Sequence, residues 1–514
     1  MSPADWSGYI AIMTREVTRR AVLGGLAAAG LGHAAFAQSA LAPMSSLRPS
    51  SRGGDLLKTY QPPLSTLIAK SGLPGQISVQ VADVKTGLVL ESHNPLRALP
   101  PASVAKALTA CYALDVLGPG YHFETRIMAT APVTNGRIDG DLILAGGGDP
   151  TLDTDAIADI TKRLREEAGV TEVTGRFLVW GGALPALNGI DSEQPFQVGY
   201  NPGISGLNLN FNRVHFEWKR NGNGYNVSMD ARSATLRPEV RAARMRIEAR
   251  NHPIYTYVDG GTHDTWTVAQ GALGKSGARW LPVRKPARYA AEVFQILARS
   301  NGIVLKTPEM SDALPEGSTE ILTHESAALR VILRDMLKYS TNITAECVGL
   351  TATHARSGTA SSLRASADAM NSWAKDRLGM KSVALEDHSG LGDDSRVSAR
   401  DMVKALIAAR KSMGIKPLLK AHPLRTEDRK VIEDHPVSVH AKTGTLNFVS
   451  GLGGFIDLPD GTELAFASFS ADLPRRDALT REERENPPGG KAYAVEARKL
   501  QQRMLARWGI LYSG

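Results

Sequence analysis

The sequence predicts an α/β (α+β) fold, in which a mixed domain of helices and strands is interrupted by a β-rich insertion. Helical patterns occur before residue 128 and after residue 285, whereas residues 129–284 consist mostly of short strands separated by turns. With 514 residues, the chain is also longer than one hydrophobic core normally supports. We therefore expect one mixed domain, formed by residues 45–128 and 285–514, around the inserted region.

The first part of the mixed domain begins with a predicted β-hairpin and a buried helix. Residues 76–91 alternate apolar and polar side chains around a turn at Lys85-Thr86-Gly87. Residues 102–117 then carry apolar side chains at helical spacing on nearly all sides, and the helix stops at Gly118-Pro119-Gly120. A helix that is apolar all round is typical of the centre of a domain.

The inserted region is predicted to be mostly β-structure, with one helix near residues 155–168. Its strands are separated by turn sequences such as Asn135-Gly136, in which both residues tolerate the left-handed backbone conformation. We expect two nested modules in this region. They are residues 129–152 together with 235–284, and residues 153–234.

The second part of the mixed domain ends in a sheet and a helix. Residues 437–470 are predicted to form antiparallel strands, and residues 494–511 an amphipathic helix. The apolar side of this helix, which includes Met504 and Trp508, could lie on a membrane surface or pack against the sheet. We favour packing against the sheet.

Composition and charge exclude several classes of protein. The net charge is +8, and lysine and arginine form no dense run, which argues against a nucleic-acid partner. The chain is 42% hydrophobic and 22% charged, as expected for a globular protein, and no stretch after the N-terminal segment is long and apolar enough to span a membrane. Its two cysteines, Cys111 and Cys347, cannot build a disulfide framework. One bridge or two buried thiols remain possible, and we favour buried thiols.

The N-terminal segment has the pattern of an export signal. Arg19 and Arg20 precede an uncharged stretch, residues 21–37, that is rich in alanine, glycine and leucine. The stretch ends in Ala35-Phe36-Ala37, the small-x-small pattern that signal peptidases accept. Twin arginines indicate the Tat pathway. We therefore predict a signal peptide over residues 1–37 and an exported, periplasmic protein.

Three short motifs carry the candidate catalytic chemistry. In chain order they are Ser103-Val104-Ala105-Lys106, Ser340-Thr341-Asn342 and Lys442-Thr443-Gly444-Thr445. Each motif is short enough to arise by chance, and each has a second copy in the chain. The second copies are Ser372–Lys375, Ser92–Asn94 and Lys85–Gly87.

The local context distinguishes the first motif from its copy. Ser103 sits at the first turn of its predicted helix, and Lys106 lies one turn along on the same face. The unpaired N–H groups at a helix N-terminus carry partial positive charge, which favours an alkoxide or oxyanion there. Ser372 lies in the middle of a helical pattern, where no free N–H groups exist. The copies at Lys85 and Ser92 fall in a hairpin turn and a loop, so we interpret all three second copies as structural.

The third motif begins a predicted strand and suits a carboxylate ligand. Gly444 removes a side chain at a point where another group must approach closely. Lys442 supplies a cation, and Thr443 and Thr445 supply hydroxyl donors, which together can hold a substrate carboxylate. Ser340-Thr341-Asn342 lies between two helical segments, in a loop that can project into the same cleft.

Together, the motifs resemble the S-x-x-K, S-x-N and K-T-G set of penicillin-binding proteins and serine β-lactamases. The surrounding sequence is similar to one branch, the low-molecular-mass class C penicillin-binding proteins of the D-alanyl-D-alanine carboxypeptidase/endopeptidase (DacB-like) family. The similar stretches are PPASVAKALTACYALDVLGPGYHFET, GDLILAGGGDPTL, KYSTNITAE, EDHSGLGDDSRVSARDMVKAL and HAKTGTLNFVSGLGGFIDL. They fall between about residues 75 and 510, and the 237 positions from Ser103 to Ser340 agree with the inserted domains of this family.

The resemblance implies a penicillin-binding/β-lactamase-like fold and a serine-type D-alanyl-D-alanine carboxypeptidase/endopeptidase that acts on peptidoglycan stem peptides and cross-links. It implies that Ser103 is the nucleophile that forms an acyl-enzyme. Lys106 would be the general base, with a pKa lowered by partial burial and by the nearby cation Lys442. Ser340 would relay a proton to the leaving amine, and Asn342 would orient Lys106 and a substrate amide.

The same resemblance assigns the third motif to substrate binding. Lys442, Thr443 and Thr445, in the strand that Gly444 keeps open, would hold the terminal carboxylate. The backbone N–H groups of Ser103 and Thr445 would form the oxyanion hole. Peptidoglycan peptides are the implied substrates, and β-lactam antibiotics the implied covalent inhibitors. Histidines with metal-ligand spacing are missing from the sequence, so neither a metal nor another cofactor is expected.

One segment departs from the family pattern and leaves the preferred stem peptide open. In FLVWGGALPALNGIDSEQPF, Gly181 and Gly182 stand about where an acidic residue is expected. A β-lactamase or esterase on the same scaffold, or a non-catalytic wall-binding protein, are the alternatives. Asp387-His388-Ser389 contains the residue types of a catalytic triad, but we interpret it as loop capping because the serine–lysine set already accounts for catalysis.

Overall fold

A computed structural model of the protein describes residue 58, residues 60–358 and residues 360–513. The predicted signal peptide at residues 1–37 lies outside the described residues. In chain order the helices are α1 (Leu64–Ser71), α2 (Ala105–Val116), α3 (Thr154–Glu166), α4 (Pro286–Ser300), α5 (Leu329–Tyr339), α6 (Asn342–Ser357), α7 (Leu363–Leu378), α8 (Ala399–Ser412), α9 (Leu473–Asp477) and α10 (Gly490–Tyr512).

The strands are numbered in the same way, and eight of them, β8 to β15, follow one another between α3 and α4. They are β1 (Gln76–Asp83), β2 (Val89–His93), β3 (Ala98–Leu99), β4 (Glu124–Ala129), β5 (Val133–Thr134), β6 (Arg137–Ile138), β7 (Leu142–Gly146), β8 (Glu172–Val173), β9 (Phe177–Trp180), β10 (Arg213–Asn221), β11 (Gly224–Asp230), β12 (Ala243–Glu248), β13 (Tyr255–Asp259), β14 (Asp264–Ala269), β15 (Ser276–Pro282), β16 (Pro308–Ser311), β17 (Thr319–Glu325), β18 (Val397–Ser398), β19 (Lys420–Ala421), β20 (Ser438–Leu446), β21 (Val449–Asp457) and β22 (Glu463–Ala471).

A six-stranded antiparallel sheet, in the order β19-β20-β21-β22-β1-β2, forms the centre of the mixed domain. Side chains alternate between the faces of a strand, so β1 buries Val79 and Val81 on one face and Ala82 on the other. Helices α1 and α10 cover the first face, where Trp508 packs. Helices α2 and α8 cover the second face. The sheet is therefore a layer between helices, which confirms the predicted α/β class.

Several sequence-based expectations for this domain are confirmed. Strands β1 and β2 pair as the predicted hairpin. Helix α2 is buried on all sides, with every side chain from Ala105 to Leu114 inaccessible or nearly so. Helix α10 packs against the sheet as expected, because Trp508 is only 1% exposed.

The β-rich region is organised around a second sheet, in the order β16-β9-β7-β4-β17. Helix α4 packs on this sheet, where the rings of Phe177 and Phe294 stack 5.5 Å apart. Strands β16 and β17 follow α4 in the chain, so the sheet includes residues well beyond the expected boundary at 285. Strand β9, from the expected inner module, also pairs with β7 of the outer one. The division into domains stays a proposal. The strand pairing moves the end of the inserted region from residue 284 to about residue 326.

Both cysteines are free, buried thiols in the structure. Cys111 lies in α2 and Cys347 in α6. This outcome agrees with the favoured interpretation of the two as small apolar groups. Within the described residues, none of the helices has the length and apolar character needed to cross a membrane.

Candidate active site

Ser103 lies in a tight turn of 3₁₀-helix, Ala102–Val104, that leads directly into α2. The turn is held against the central sheet by glycines that leave room for its backbone. A Cβ atom on Gly444 would lie 2.6 Å from the carbonyl oxygen of Pro101 and 3.1 Å from the backbone nitrogen of Ser103. Any side chain at Gly444 would therefore displace the turn that carries Ser103.

Lys106 is fully buried and points at the Ser103 hydroxyl. Its Nζ lies 2.9 Å from Ser103 Oγ, 2.7 Å from Asn342 Oδ1 and 2.8 Å from the carbonyl oxygen of Ser389. The last two atoms can only accept hydrogen bonds. A neutral Lys106 would donate its two protons to them and accept from the Ser103 hydroxyl through its lone pair. This is the arrangement that a general base requires.

Burial lowers the pKa of Lys106 to about 8, while the carboxylates of Asp387 and Glu346 act in the opposite direction. The expected contribution of Lys442 to this lowering is not found. Lys106 instead helps to lower the pKa of Lys442, which burial, Lys106 and Lys420 together bring to about 7. Burial is therefore what makes a neutral base accessible near neutral pH.

The second motif connects two helices and reaches both lysines. Ser340 ends α5 in the left-handed conformation, with φ 61°, and its Oγ lies 2.9 Å from Lys442 Nζ. Asn342 begins α6 and accepts from Lys106, while its Nδ2 donates to the carbonyl of Tyr200 at 2.9 Å. The two neighbours thus fix which end of the Asn342 amide faces Lys106.

Lys442 lies in the middle of β20, rather than at its start, and is only 2% exposed. Besides Ser340 it donates to the carbonyl of Thr443 at 2.7 Å. Thr445 lines the cleft beside Ser103, whereas Thr443 is exposed and is not among the cleft residues in the described part of the chain. The geometry therefore brings Gly444 and Thr445 beside Ser103 and brings Lys442 to Ser340, which lines the same cleft, and it leaves the side chain of Thr443 aside.

A loop that follows α7 completes the surroundings of Lys106. The side chain of Glu346 accepts from the backbone N–H groups of His388 and Ser389, each at 2.9 Å. Asp387 accepts from the N–H groups of Gly390 and Gly392. Burial, followed by the nearby Asp387, raises the pKa of Glu346 to about 8. These carboxylates hold the loop whose Ser389 carbonyl contacts Lys106. Sequence reasoning missed Glu346, because nothing in its local pattern marks a buried acid.

Asp387-His388-Ser389 does not form a catalytic triad. The His388 ring bonds Ser366 at 2.7 Å, and burial lowers its pKa to about 3. Ser372 donates to the carbonyl of Asp368 inside α7, away from the cleft. The copy at Lys85 lies in the turn between β1 and β2, as expected. The expected loop position of the copy at Ser92 is wrong, because Ser92 belongs to strand β2.

The cleft has a volume of about 590 Å³ and is open to solvent beside Ser103. Its walls include Ser340, Asn342 and Thr445 from the predicted motifs. Further wall residues, which sequence reasoning did not single out, are Gln194, Tyr200, Arg476, Arg484, Glu485, Lys491 and Arg498. Among the residues that the structure describes, no group of three or more His, Cys, Asp or Glu side chains is arranged to hold a metal ion.

Comparisons with known proteins place this cleft in context. The D-Ala-D-Ala carboxypeptidase 3 (S13) family matches residues 61–486. A D-alanyl-D-alanine carboxypeptidase of Actinomadura sp. is 27% identical over 466 residues, which cover 83% of this chain and 84% of that protein. The D-alanyl-D-alanine carboxypeptidase DacB of Haemophilus influenzae is 23% identical over 403 residues, which cover 75% of this chain and 83% of that protein.

Solved structures show the same likeness at the level of the fold. The crystal structure of penicillin-binding protein 4 (dacB) from Haemophilus influenzae gives a TM-score of 0.70 at 20% identity, covering 87% of this chain and 100% of that chain. A crystal structure of the same protein complexed with a β-lactam gives a TM-score of 0.68 at 20% identity, covering 88% and 100%. The predicted penicillin-binding fold is thereby confirmed.

Proposed function

Because this chain belongs to the D-Ala-D-Ala carboxypeptidase 3 (S13) family, we propose that it cleaves D-alanyl-D-alanine bonds of peptidoglycan peptides through an acyl-enzyme on Ser103. The chain is a serine-type D-Ala-D-Ala carboxypeptidase by family. The observation that carries the assignment of the nucleophile is the 2.9 Å contact between Lys106 Nζ and Ser103 Oγ at the edge of the cleft.

In the acylation step, neutral Lys106 takes the proton of the Ser103 hydroxyl as Oγ attacks the carbonyl carbon of the penultimate D-alanine. Asn342 and the Ser389 carbonyl stabilise the resulting ammonium, because each already accepts from Nζ. The backbone N–H groups of Ser103 and Thr445 serve as the oxyanion hole. The new Ser103–acyl bond replaces the amide bond of the substrate.

The leaving D-alanine needs a proton on its nitrogen. Ser340 supplies it and is reprotonated from Lys106, which restores the neutral base. The hydroxyl of Ser340 is oriented by Lys442, whose Nζ lies 2.9 Å away. Water then attacks the acyl group, Lys106 takes a proton from it, and Ser103 leaves with a proton. Protons and bonds balance over the cycle.

Lys442 and Thr445 hold the carboxylate of the terminal D-alanine. A bound carboxylate stabilises the charged form of Lys442, so substrate binding raises its pKa from the value of about 7 in the free enzyme. Thr443, which lies off the cleft wall, contributes through its backbone carbonyl to Lys442. A cross-link joins the carbonyl of the same D-alanine to an amine of a second stem peptide, so Ser103 attacks the same carbonyl there, and a β-lactam presents an amide that acylates the same hydroxyl. Endopeptidase activity and penicillin acylation are thus included in the proposal.

Two alternatives make different predictions. A β-lactamase or esterase on this scaffold would release the penicilloyl group quickly, whereas a carboxypeptidase keeps a long-lived adduct. A non-catalytic wall-binding protein would not need the buried hydrogen bonds of Lys106 to Ser103 and Asn342.

Labelling with fluorescent penicillin, followed by mass mapping of the modified peptide, tests the proposal directly. We expect a stable adduct on Ser103 and release of D-alanine from a D-alanyl-D-alanine peptide. Ser103→Ala should abolish both, while Ser372→Ala, in the second S-x-x-K copy, should change neither. A Ser103→Ala protein that still releases D-alanine would exclude Ser103 as the nucleophile.

We also propose export to the periplasm through the Tat pathway. The proposal is supported by the twin arginines Arg19 and Arg20 and by the small-x-small sequence that ends at Ala37. Replacing both arginines by lysine should retain the protein in the cytoplasm, and N-terminal sequencing of the exported form should begin at Gln38. Unchanged export of the double variant would contradict the Tat assignment.

A further inference from the structure

Two nearly buried arginines on the cleft wall share a single carboxylate. Arg476 is 3% exposed, and the side chain of Arg484 is 10% exposed. Arg484 donates to one carboxylate oxygen of Asp393 at 2.5 Å. Arg476 donates to the other oxygen. Both arginines line the cleft that contains Ser103.

Much of the hydrogen-bonding capacity of these arginines is unused. A guanidinium carries five N–H donors in a planar fork. Besides Asp393, Arg476 donates to the carbonyl of Asn447 at 3.0 Å. Within the described residues, the Nε atoms of Arg476 and Arg484 are buried without an acceptor, and Nη2 of Arg484 makes no hydrogen bond. The single carboxylate of Asp393 therefore provides too few acceptors for the N–H donors of two guanidinium groups.

The acidic residue that lines this cleft, Glu485, does not pair with either arginine. Glu485, the carboxylate on this wall, is engaged by Arg279 at 2.6 Å and by Gln197 at 2.6 Å. Lys491 and Arg498 add exposed cations to the same cleft, and neither forms an ion pair in the described part of the chain. A buried cation without a full counter-charge is unfavourable, and an arriving anion would relieve this.

The position of the pair relates it to one side of the scissile bond. Gly444 lies level with Ser103 on β20, while Asn447, which holds Arg476, comes three residues later. Lys442 comes two residues before Gly444. If Lys442 binds the terminal carboxylate, the arginines, which lie beyond Gly444 in the other direction along the chain, face the acyl side of the peptide.

We propose that Arg476 and Arg484, bridged by Asp393, form a subsite for a second carboxylate of the substrate, carried by the peptide on the acyl side of the bond that is cut. The inference rests on the proposed function. The cleft residues Gln194, from the segment that departs from the family pattern, and Tyr200, which follows that segment, carry no charge that would compete for an anion. A planar guanidinium fork binds carboxylate oxygens in pairs, so the subsite selects an anion over an amide or an amine.

Matched synthetic peptides test the subsite. Acetylated peptides ending in D-Ala-D-Ala would carry glutamate, glutamine or lysine at either of the two positions before that pair. We expect the wild-type kcat/KM for D-alanine release to be at least tenfold higher for a glutamate peptide than for its glutamine partner, and lowest for lysine. Equal rates for the three peptides at both positions would overturn the subsite and show that the arginines are a purely structural clamp.

Variants separate the subsite from general charge effects. Arg484→Gln should bring the glutamate-to-glutamine ratio to about one. Asp393→Asn keeps a hydrogen-bond acceptor for the arginines but removes the negative charge that competes with a substrate carboxylate. The glutamate-to-glutamine ratio should therefore rise. This variant provides a second test if Arg484→Gln fails to fold. The control is Arg503→Gln, because Arg503 is also paired with a carboxylate, Glu427 at 2.8 Å, but lies away from the cleft. It should leave the ratio and the rates unchanged.

Penicillin labelling of Ser103 distinguishes failure of the carboxylate subsite from failure of the proposed enzymatic function. A protein that labels and hydrolyses all peptides equally retains the proposed function and loses the subsite. A protein that neither labels nor hydrolyses any peptide contradicts both. A ratio that falls as much in Arg503→Gln as in Arg484→Gln also overturns the assignment to this pair.

Discussion

Asn342→Asp tests whether Lys106 is the base whose deprotonation sets the pH dependence of catalysis. In the structure, Asn342 Oδ1 accepts from Lys106 Nζ at 2.7 Å. With a pKa of about 8, roughly a tenth of the wild-type Lys106 population is neutral at pH 7. The change to aspartate leaves the size of the side chain almost the same and places a negative charge next to the ammonium.

An opposite charge at this distance raises a pKa by about 1–3 units. The neutral fraction of Lys106 at pH 7 should then fall by about tenfold to a thousandfold, and the acylation rate should fall with it. The rate should recover once the pH exceeds the raised pKa of Lys106, which this shift places at about 9–11. The measurement is the second-order rate of acylation of Ser103 by fluorescent penicillin between pH 5.5 and 10.5, with wild type and variant in parallel.

Asn342→Ala is the matched control. Like the aspartate variant, it loses the donation from Nδ2 to the Tyr200 carbonyl, which is 2.9 Å long in the wild type. It also loses the contact to Lys106 and adds no charge. The midpoint of its acidic limb should therefore lie at or below that of the wild type, even if its maximal rate is lower. An aspartate variant whose midpoint equals that of the alanine variant would refute the role of Lys106 as the titrating base.

Three further predictions follow from packing. Gly444→Ala places a methyl group 2.6 Å from the Pro101 carbonyl, so penicillin labelling should slow strongly and thermal unfolding should show a loss of about 1–3 kcal/mol; normal labelling would mean that the turn can move freely. Trp508→Ala, at a position only 1% exposed, should lower the free energy of unfolding by about 3–5 kcal/mol in urea titration, and a change below 1 kcal/mol would contradict the packing of α10. Because Cys111 and Cys347 are free, a reductant should leave the melting temperature unchanged, and a drop would reveal a bridge.

Local sequence patterns predicted the elements that carry the nucleophile. The hairpin at β1 and β2, the buried helix α2 and the packed helix α10 all appear where their periodicity placed them. Periodicity succeeds here because each element buries one face or all faces of its own residues. The domain boundaries were harder, since pairing between β9 and β16 joins residues 177–180 to residues 308–311, and no local signal encodes such a pairing.

The candidate site shows the same limit. The motifs identified Ser103 and Lys106, which lie next to each other because they are one helical turn apart. They could not show that Thr443 lies off the cleft wall. They also missed Glu346, because its importance comes from two backbone N–H groups in a loop about forty residues later.

The sequence by itself determined the types of reactive group and the local geometry of the nucleophile, because a helical turn depends on neighbouring residues alone. The tertiary structure decided the protonation chemistry, since the pKa of Lys106 depends on burial and on contacts with residues 236 and 283 positions away. It also decided the charge of the cleft, where Arg476 and Arg484 meet Asp393 across more than eighty residues. Electrostatic effects depend on distance in space and on exclusion of water, and only the folded chain defines either.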